Sequence, residues 1–547
     1  MFTKPNRRLI KAKLADQAEK RLAAAAVREW RPSFALGAVS HYHVMALKLP
    51  LIRLGEQCFQ LLINNVRTRA SISVLLGSLL TAATHADTSS AGASQALVRP
   101  GNQPNLIIIL TDDQGYHDVG FNGCKDIPTP NLDSIAANGV RFSNGYVSYS
   151  VCSPSRAGLL TGRYEERFGH ERNPQWEPEN VHSGLPLTET TLADALGKVG
   201  YHSGIIGKWH LGCNSALHPL KRGFDEFFGF LGGGHRYLPA EFTLKETRQA
   251  KNGSEADSYR LWIMRNYEPV QTTNYLTDEF SDEAVRFIDR NQSKPFFLYL
   301  AYNAPHTPLE ATEKYLSRFP NIKNPKRRTY AAMISAVDDG VGRVLAELRK
   351  QGLADNTLVF YLSDNGGPTE ANASNNHPLR GGKGSPWEGG WHVPFAMQWP
   401  GHLTPGKVYD QPVLSLDIFA TIAALSHAPT NAARPLDGVN LLPYLTGQKT
   451  GAPHDTIYLR MYDKGAFAVR SGDTKLVIPK HGDAPELFNV TKDISESKNL
   501  AGEAEMQPVL QELEKRRAAW SSQLVPPAFL GLMQLKENQG KPATPKD

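Results

Sequence analysis

The sequence predicts an α/β protein: a mostly parallel sheet flanked by helices, with a smaller antiparallel sheet at the carboxyl end. Three observations lead there. Short, continuous apolar runs that suit strands buried on both faces alternate with helical stretches of 3.6-residue period. Polar residues able to do chemistry recur just beyond the carboxyl ends of those runs, where an open α/β sheet places its site. After Gly451 the alternation stops, and short strand candidates separated by turn residues follow. At 547 residues, with 41% hydrophobic and 21% charged content, the chain can bury a large core as one big domain plus a smaller one. The formal charge of +6 is small for this length. It makes no case for a nucleic-acid partner and leaves room for a local basic cleft.

The first hundred residues read differently. Residues 1–65 mix basic and apolar side chains without turn chemistry, whereas residues 66–86 have the three parts of a secretion signal. Arg67 and Arg69 form the charged end, residues 72–83 the apolar run, and Ala83-Thr84-His85-Ala86 the small-residue cleavage site. The apolar run is too short for a permanent membrane anchor. The expectation is a secreted or periplasmic protein cut near Ala86, with translation starting at Met45 or near Val66. The alternative is a disordered or membrane-attached extension.

Residues 105–110, Asn-Leu-Ile-Ile-Ile-Leu, are a strand that ends in Thr111-Asp112-Asp113. Two adjacent carboxylates at a strand terminus repel each other unless a cation lies between them; a turn with a helix cap is the plainer reading. Thr129-Pro130-Asn131 opens a helix through Ala137, with Gly139 as its stop. Cys152 stands just before Pro154, which fits the first turn of a helix continued by Ala157, Leu159 and Leu160. A nucleophile there sits among unpaired N–H groups at the positive end of the helix dipole, which favours an anionic substrate. Arg156 adds a fixed cation. Leu192, Ala195, Leu196 and Val199 repeat at helical spacing, and a short strand ends at Gly207-Lys208-Trp209-His210. Residues 232–268 form a polar, aperiodic insertion expected to line a cleft, where His235, Arg236 and Tyr237 either contact an anionic sugar or stay solvated. A helix over 278–289 leads to a strand at 295–300, followed by Asn303, Pro305 and His306. Ile334, Val337, Val341, Val344, Leu345 and Leu348 make one core-facing helical stripe. The strand at 357–362 ends in Ser363-Asp364-Asn365-Gly366-Gly367, and the loop beyond it carries Arg380, Lys383, Trp387 and Glu388. Strand candidates at 457–461, 466–470, 475–478 and 486–489, and a helix over 510–520, complete a carboxyl-terminal subdomain at 451–530. A disordered tail is expected over 531–547.

Cys152, Pro154 and Arg156, followed by Leu160-Thr161-Gly162-Arg163, resemble the Cys-x-Pro-x-Arg signature of the type I sulfatases. Gly200-Tyr201-His202-Ser203-Gly204-Ile205-Ile206-Gly207-Lys208-Trp209-His210-Leu211-Gly212 resembles that family's second signature. The resemblance covers residues 105–446 and implies an alkaline-phosphatase-like fold with a catalytic domain at 104–450. It implies that a maturation enzyme oxidises Cys152 to Cα-formylglycine, and that Asp112, Asp113, Asp364 and Asn365 bind a metal together with the modified residue. Oxygen donors suit Ca²⁺, or Mg²⁺ less well, and the set lacks the ligands of a zinc site. By the same resemblance Lys208 and Lys383 pair with sulfate oxygens, Arg156 and His210 hold the aldehyde hydrate, and His306 binds sulfate or protonates the leaving alcohol. The chain departs from the family at His392, where an Arg is common; His235, Arg236 and His392 are the candidate substrate contacts. The substrate expected is a sulfated polysaccharide or glycosaminoglycan fragment, with an aryl sulfate as the smaller alternative. The rivals are a phosphodiesterase or phosphonate monoester hydrolase of the same superfamily, and a non-catalytic carbohydrate-binding protein. With Cys152 modified and Cys58 in the amino-terminal region, Cys124 and Cys213 either pair or remain two separate thiols.

Overall fold

The computed structural model describes residues 103–239 and 262–534. The expected extension, the secretion signal at 66–86 and the end of the chain beyond 534 lie outside the described residues. In chain order the first half contains β1 (Asn105–Thr111), α1 (Pro130–Ala137), β2 (Val140–Phe142), β3 (Gly145–Tyr146), α2 (Cys152–Thr161), α3 (Leu192–Gly197), β4 (His202–Lys208) and β5 (Glu226–Phe230). Next come β6 (Ile263–Arg265), β7 (Glu268–Val270), α4 (Leu276–Asn291), β8 (Phe296–Ala301), α5 (Pro325–Lys350), β9 (Thr357–Ser363), β10 (Phe395–Gln398), β11 (Lys407–Tyr409), β12 (Val413–Leu414) and α6 (Leu416–Ser426). The chain closes with β13 (Ile457–Met461), β14 (Ala466–Ser471), β15 (Thr474–Ile478), β16 (Glu486–Asn489) and α7 (Gln507–Ser521).

Ten strands form the main sheet in the order β11-β2-β10-β9-β1-β8-β4-β5-β6-β7. Its centre is parallel, β1 lying between β8 and β9, and β4 between β8 and β5. β10, β6 and β7 run antiparallel to their neighbours, so the expected mostly parallel sheet is mixed at its flanks. β1 is fully buried because it packs on both faces: Leu106, Ile108 and Leu110 join one core, Ile107 and Ile109 the other. β13–β16 make the four-stranded antiparallel sheet expected from the turn-punctuated carboxyl-terminal sequence. Among the described residues, no helix is long and apolar enough to cross a membrane.

Local chemistry explains most element boundaries. α3 begins at a capping box in which Thr191 Oγ1 accepts from Asp194 N–H (3.0 Å) and Asp194 accepts from Thr191 N–H (2.9 Å). α5 starts earlier than its apolar stripe because Asn324 accepts from Arg327 N–H and Pro325 takes the first helical position. Gly207 has φ +111, and a Cβ there would stand 1.9 Å from the Ala301 carbonyl oxygen, so only glycine lets β4 and β8 approach just before Lys208.

Two expectations are corrected, and one open alternative is decided. The insertion at 232–268 is not wholly irregular: β6 and β7 form a hairpin on the sheet edge, turned by Asn266 at φ 56, a conformation Asn tolerates. Residues 531–534 are not a loose tail, since Leu532 N–H donates to the Asn173 carbonyl (3.3 Å). Cys124 and Cys213 are separate thiols, the first donating to Asp126 Oδ1 (3.3 Å), the second accepting from Glu177 N–H (3.1 Å).

Asp338, buried in α5, caps a different helix. Its carboxylate accepts from Asn131 N–H (3.0 Å), Asn131 Nδ2 (2.9 Å) and Leu132 N–H (2.8 Å) at the start of α1. Burial pushes the carboxyl up to about 6 against those bonds. Asp338→Ala is expected to destabilise the protein by about 1–3 kcal/mol in denaturant titrations, the cost of unsatisfied buried donors. The folded state binds the proton more tightly than the unfolded chain, whose carboxyl titrates near ~3.9. Stability of the wild type relative to Asp338→Asn therefore falls as pH rises from about 4 to about 6, then levels.

Candidate active site

Pairing in the sheet brings the strand ends together. Thr111 lies opposite Ser363, so Asp112 and Asp113 emerge beside Asp364 and Asn365. Gly207 lies opposite Ala301, which places Lys208 beside the segment that carries His306. α2 enters from the side, with Cys152 as its first residue after Val151. Asp113 has φ 65, a left-handed conformation costly for most side chains and frequent at functional sites.

The charged groups interlock. Lys208 Nζ donates to Asp112 Oδ2 (2.6 Å), and both side chains are wholly buried. Cys152 Sγ lies 3.5 Å from Asp112 Oδ1. Lys383 Nζ lies 2.6 Å from Asp113 Oδ1, His306 Nε2 is 3.5 Å from Asp113 Oδ2, and Asn365 Nδ2 donates to Asp113 Oδ1 (2.8 Å). Arg156 donates through Nε to Asp364 Oδ2 (2.9 Å) and through Nη1 to the Lys208 carbonyl (3.2 Å). It therefore braces the acidic cluster and the end of β4. Asp364 Oδ1 accepts from Asp113 N–H (3.3 Å).

Ligand atoms of Asp112, Asp113, Cys152 and His306 all lie within 4.8 Å of one another. The buried Asn365 Oδ1 has no hydrogen-bond partner while its Nδ2 is fully used. A buried acceptor left over beside three carboxylates fits a hard divalent cation, so Asp112, Asp113, Asp364 and Asn365 are able to hold one.

The field in this cup is uneven. Burial would raise the Asp113 carboxyl, but the Lys383 and His306 charges outweigh it and hold it at about 2. Burial, with Asp112 adding, pushes Asp364 up to about 6. Burial would raise the Cys152 thiol too, yet Lys208 and Lys383 bring it down to about 7. Burial disfavours a charged His306, but Asp112 and Asp113 raise its pKa. Burial and the cations Lys208, Arg156 and Lys383 hold His210 well below the usual histidine range, so its ring is neutral. A Cβ at Gly233 would stand 2.7 Å from His210 Nε2, so glycine there makes room for the ring.

Three candidate substrate contacts fall differently. His392 is fully buried, with Nδ1 3.0 Å from Glu388 Oε2 and Nε2 2.9 Å from the Ser143 carbonyl. Both nitrogens are committed, so the buried ring supports the loop that follows Lys383. Arg236 is partly exposed and its Nε donates to Glu310 Oε1 (2.9 Å). His235 is buried, Nδ1 lying 2.6 Å from the Arg236 carbonyl. Tyr237 is buried, its hydroxyl within 2.6 Å of the Asn303 carbonyl and 2.9 Å of the His306 carbonyl, which fixes the His306 loop.

Sequence reasoning missed several supporting residues. Ser153 N–H donates to Asn173 Oδ1 (3.0 Å), and Ser153 Oγ lies 2.7 Å from His170 Nε2 and 2.6 Å from the His210 carbonyl. Asn376 holds the Lys383 loop, accepting from Gly367 N–H (3.0 Å) and donating to the Gly367 (2.8 Å) and Gly381 (3.1 Å) carbonyls. Lys475, on β15, pairs with Glu388 (2.8 Å) and Glu496 (2.9 Å) under the same loop. Only the polarity of these residues was visible; which groups they meet, from 5 positions away for Asn376 to 87 for Lys475, is set by the folded chain.

The family model described as Sulfatase matches residues 104–428, and one described as N-sulphoglucosamine sulphohydrolase, C-terminal, matches residues 383–523. The chain is 38% identical over 359 residues to N-acetylgalactosamine-6-sulfatase of Homo sapiens, covering 62% of this chain and 66% of that protein. It is 35% identical over 420 residues to the Mus musculus protein of the same name, covering 73% and 76%. The solved structure of Ps i-CgsB in complex with k-i-k-neocarrahexaose superposes with TM-score 0.74 at 40% identity, covering 80% of this chain and 96% of that one. The phosphonate monoester hydrolase of Agrobacterium radiobacter shares the fold at TM-score 0.56 and 21% identity, covering 77% and 96%.

Proposed function

Because this chain belongs to the sulfatase family of sulfuric ester hydrolases, we propose that it removes sulfate from a sulfated carbohydrate, using formylglycine made from Cys152 and a bound Ca²⁺. The observation that carries the reading is the convergence of three strand ends and the start of α2 on one buried cup. Asp112, Asp113, Asp364, Asn365, Lys208 and Lys383 there surround position 152. The carbohydrate is supported by the relatives: one is named for N-acetylgalactosamine 6-sulfate, another was solved with a neocarrahexaose.

The cation, held by Asp112, Asp113, Asp364 and Asn365, would neutralise sulfate oxygens and acidify the nucleophile. Hydrated formylglycine would supply one hydroxyl to attack sulfur as the alcohol leaves; the second would then lose its proton and re-form the aldehyde while the C–O bond to sulfate breaks and sulfate departs. The chain's own residues supply the rest. The field that holds the Cys152 thiol at about 7 favours negative charge on any atom at that position. Lys208 and Lys383 stand where charge develops on the sulfate oxygens, and burial of Lys208 removes the water that would screen it. His306 donates Nδ1–H to the Thr307 carbonyl (2.6 Å), which leaves Nε2 turned to the cup to deliver a proton to the leaving alcohol. Arg156 and His210 position the hydrate, and the partly exposed Arg236 is the candidate contact for a sugar.

Mass spectrometry of the peptide containing Cys152, from protein made alongside a maturation enzyme, is expected to show an aldehyde in place of the thiol. An unmodified thiol in active enzyme would overturn the formylglycine reading. Turnover of 4-nitrophenyl sulfate is expected to exceed that of bis(4-nitrophenyl) phosphate by at least ~100-fold, reflecting a cup shaped for transition-state charge on a monoester. The reverse order would favour the phosphonate and phosphodiester rival.

A further inference from the structure

A cavity of about 500 Å³ opens at the edge of the sheet that carries the catalytic cup, lined by His117, Lys125, Asp126, Asn324, Arg327 and Asn375. Its walls come from the segments that follow β1 and β9 and from the first turn of α5. The segment before α5 follows β8, so all three walls lie at the carboxyl-terminal edge of the sheet, on the side of the catalytic residues. Two links tie its wall to the segment that carries the cup's carboxylates. Asn372 Nδ2 donates to the Asp113 carbonyl (3.0 Å), and Ala373, its neighbour, lines the cavity. Asn375 accepts His117 N–H on its carbonyl (2.9 Å) and lies so close to Gly115 that a Cβ there would stand 2.4 Å from that oxygen.

The lining is polar and pre-organised. Arg327 grips Asp126 (Nε to Oδ2, 2.9 Å) and Asp118 (Nη1 to Oδ1, 2.6 Å), which fixes one wall and balances most of its charge. Lys125 is exposed at the rim, and the His117 imidazole, the Asn324 and Asn375 amides and the Asp126 carboxylate complete the surface. Donors and acceptors set among apolar wall surface, with one exposed ammonium beside them, are the chemistry that recognises a sugar ring, its hydroxyls and an acidic substituent it carries.

We propose that this cavity is a subsite for a further sugar residue of an extended sulfated glycan, placed next to the residue whose ester is cleaved. Hydroxyls of that residue hydrogen-bond to His117 and Asn375, and Lys125 pairs with a sulfate or carboxylate it carries. The inference rests on the sulfatase reading and deepens it: the substrate is an oligosaccharide or polymer, and an aryl sulfate uses the cup alone. Neither His117 nor Lys125 belongs to the catalytic machinery.

The test compares 4-nitrophenyl sulfate with sulfated hexasaccharides from carrageenan and from chondroitin 6-sulfate, using wild type, Lys125→Ala and His117→Ala, all checked by thermal unfolding. For the hexasaccharide that wild type desulfates, each variant is expected to raise KM at least tenfold with kcat within twofold, while kcat/KM for 4-nitrophenyl sulfate stays unchanged. Equal losses on both substrates, no change on either, or turnover of 4-nitrophenyl sulfate with none of the hexasaccharides would overturn the subsite. Should no sulfate ester be hydrolysed at all, the sulfatase reading fails. Calorimetric titration of the hexasaccharides then still tests the cavity: at least tenfold tighter binding to wild type than to the variants supports it, and equal or absent binding refutes it.

Discussion

Cys152→Ala is expected to lower turnover of any sulfate ester by about 10⁵-fold or more, the scale on which losing a nucleophile collapses covalent catalysis. The fold should survive. Cys152 opens α2, where alanine is an excellent helix former, and the contact of its thiol with Asp112 Oδ1 is long, 3.5 Å. The lysines and carboxylates around it pair with one another, so the cup keeps its charge balance without the thiol. Cys152→Ser separates attack from release. A serine hydroxyl is able to take the sulfuryl group once, yet it lacks the second hydroxyl that expels it, so the expected result is at most one sulfate-bearing peptide per enzyme. Sustained turnover by either variant, measured as free sulfate, would remove position 152 from the chemistry.

Asp113→Asn is the second large effect. Asp113 adopts φ 65, and Asn is among the few residues that accept that backbone, so the exchange removes a charge with little strain. The lost charge is the partner of Lys383 (2.6 Å) and the nearer neighbour of His306 Nε2 (3.5 Å), and it is a proposed cation ligand. A fall in turnover of about 10³-fold is expected, as for removal of a group that aligns charge against a transition state. Bound calcium measured by atomic spectroscopy is expected to drop from one equivalent to well below it. Asp113→Ala should behave as badly in catalysis and fold less stably, because alanine pays about 1–2 kcal/mol for the left-handed backbone. Full calcium content in an inactive Asp113→Asn would confine the residue to holding Lys383 and His306.

Lys475, Glu388 and Glu496 show why part of the site was not legible. Each is an ordinary charged residue in sequence, and the carboxyl-terminal strand β15 has no local sign that its lysine will be wholly buried. That lysine neutralises Glu388, whose other oxygen meets His392 Nδ1 at 3.0 Å and Tyr146 Oη at 2.6 Å. His392 drew attention because it stands where the family commonly has Arg; its burial follows from tertiary pairing alone. Ser153, His170 and Asn173 are similar: they lie up to 20 positions apart, and their significance depends on the His210 carbonyl arriving from the end of β4. The hairpin of β6 and β7 was missed because strands of three residues carry almost no periodic signal.

Sequence by itself determined the alternation of buried strands and helices, the position of Asp112, Asp113, Lys208, His306, Asp364 and Asn365 at strand ends or just beyond them, and the start of α2 at Cys152. Those are local matters: apolar runs, caps and prolines act within a few residues of themselves. Tertiary structure decided which of those groups face one another and how each is charged. Lys383 meets Asp113 across 270 positions of chain, Arg156 meets Asp364 across 208, and their pairing in a buried cup sets fields that no window of sequence contains.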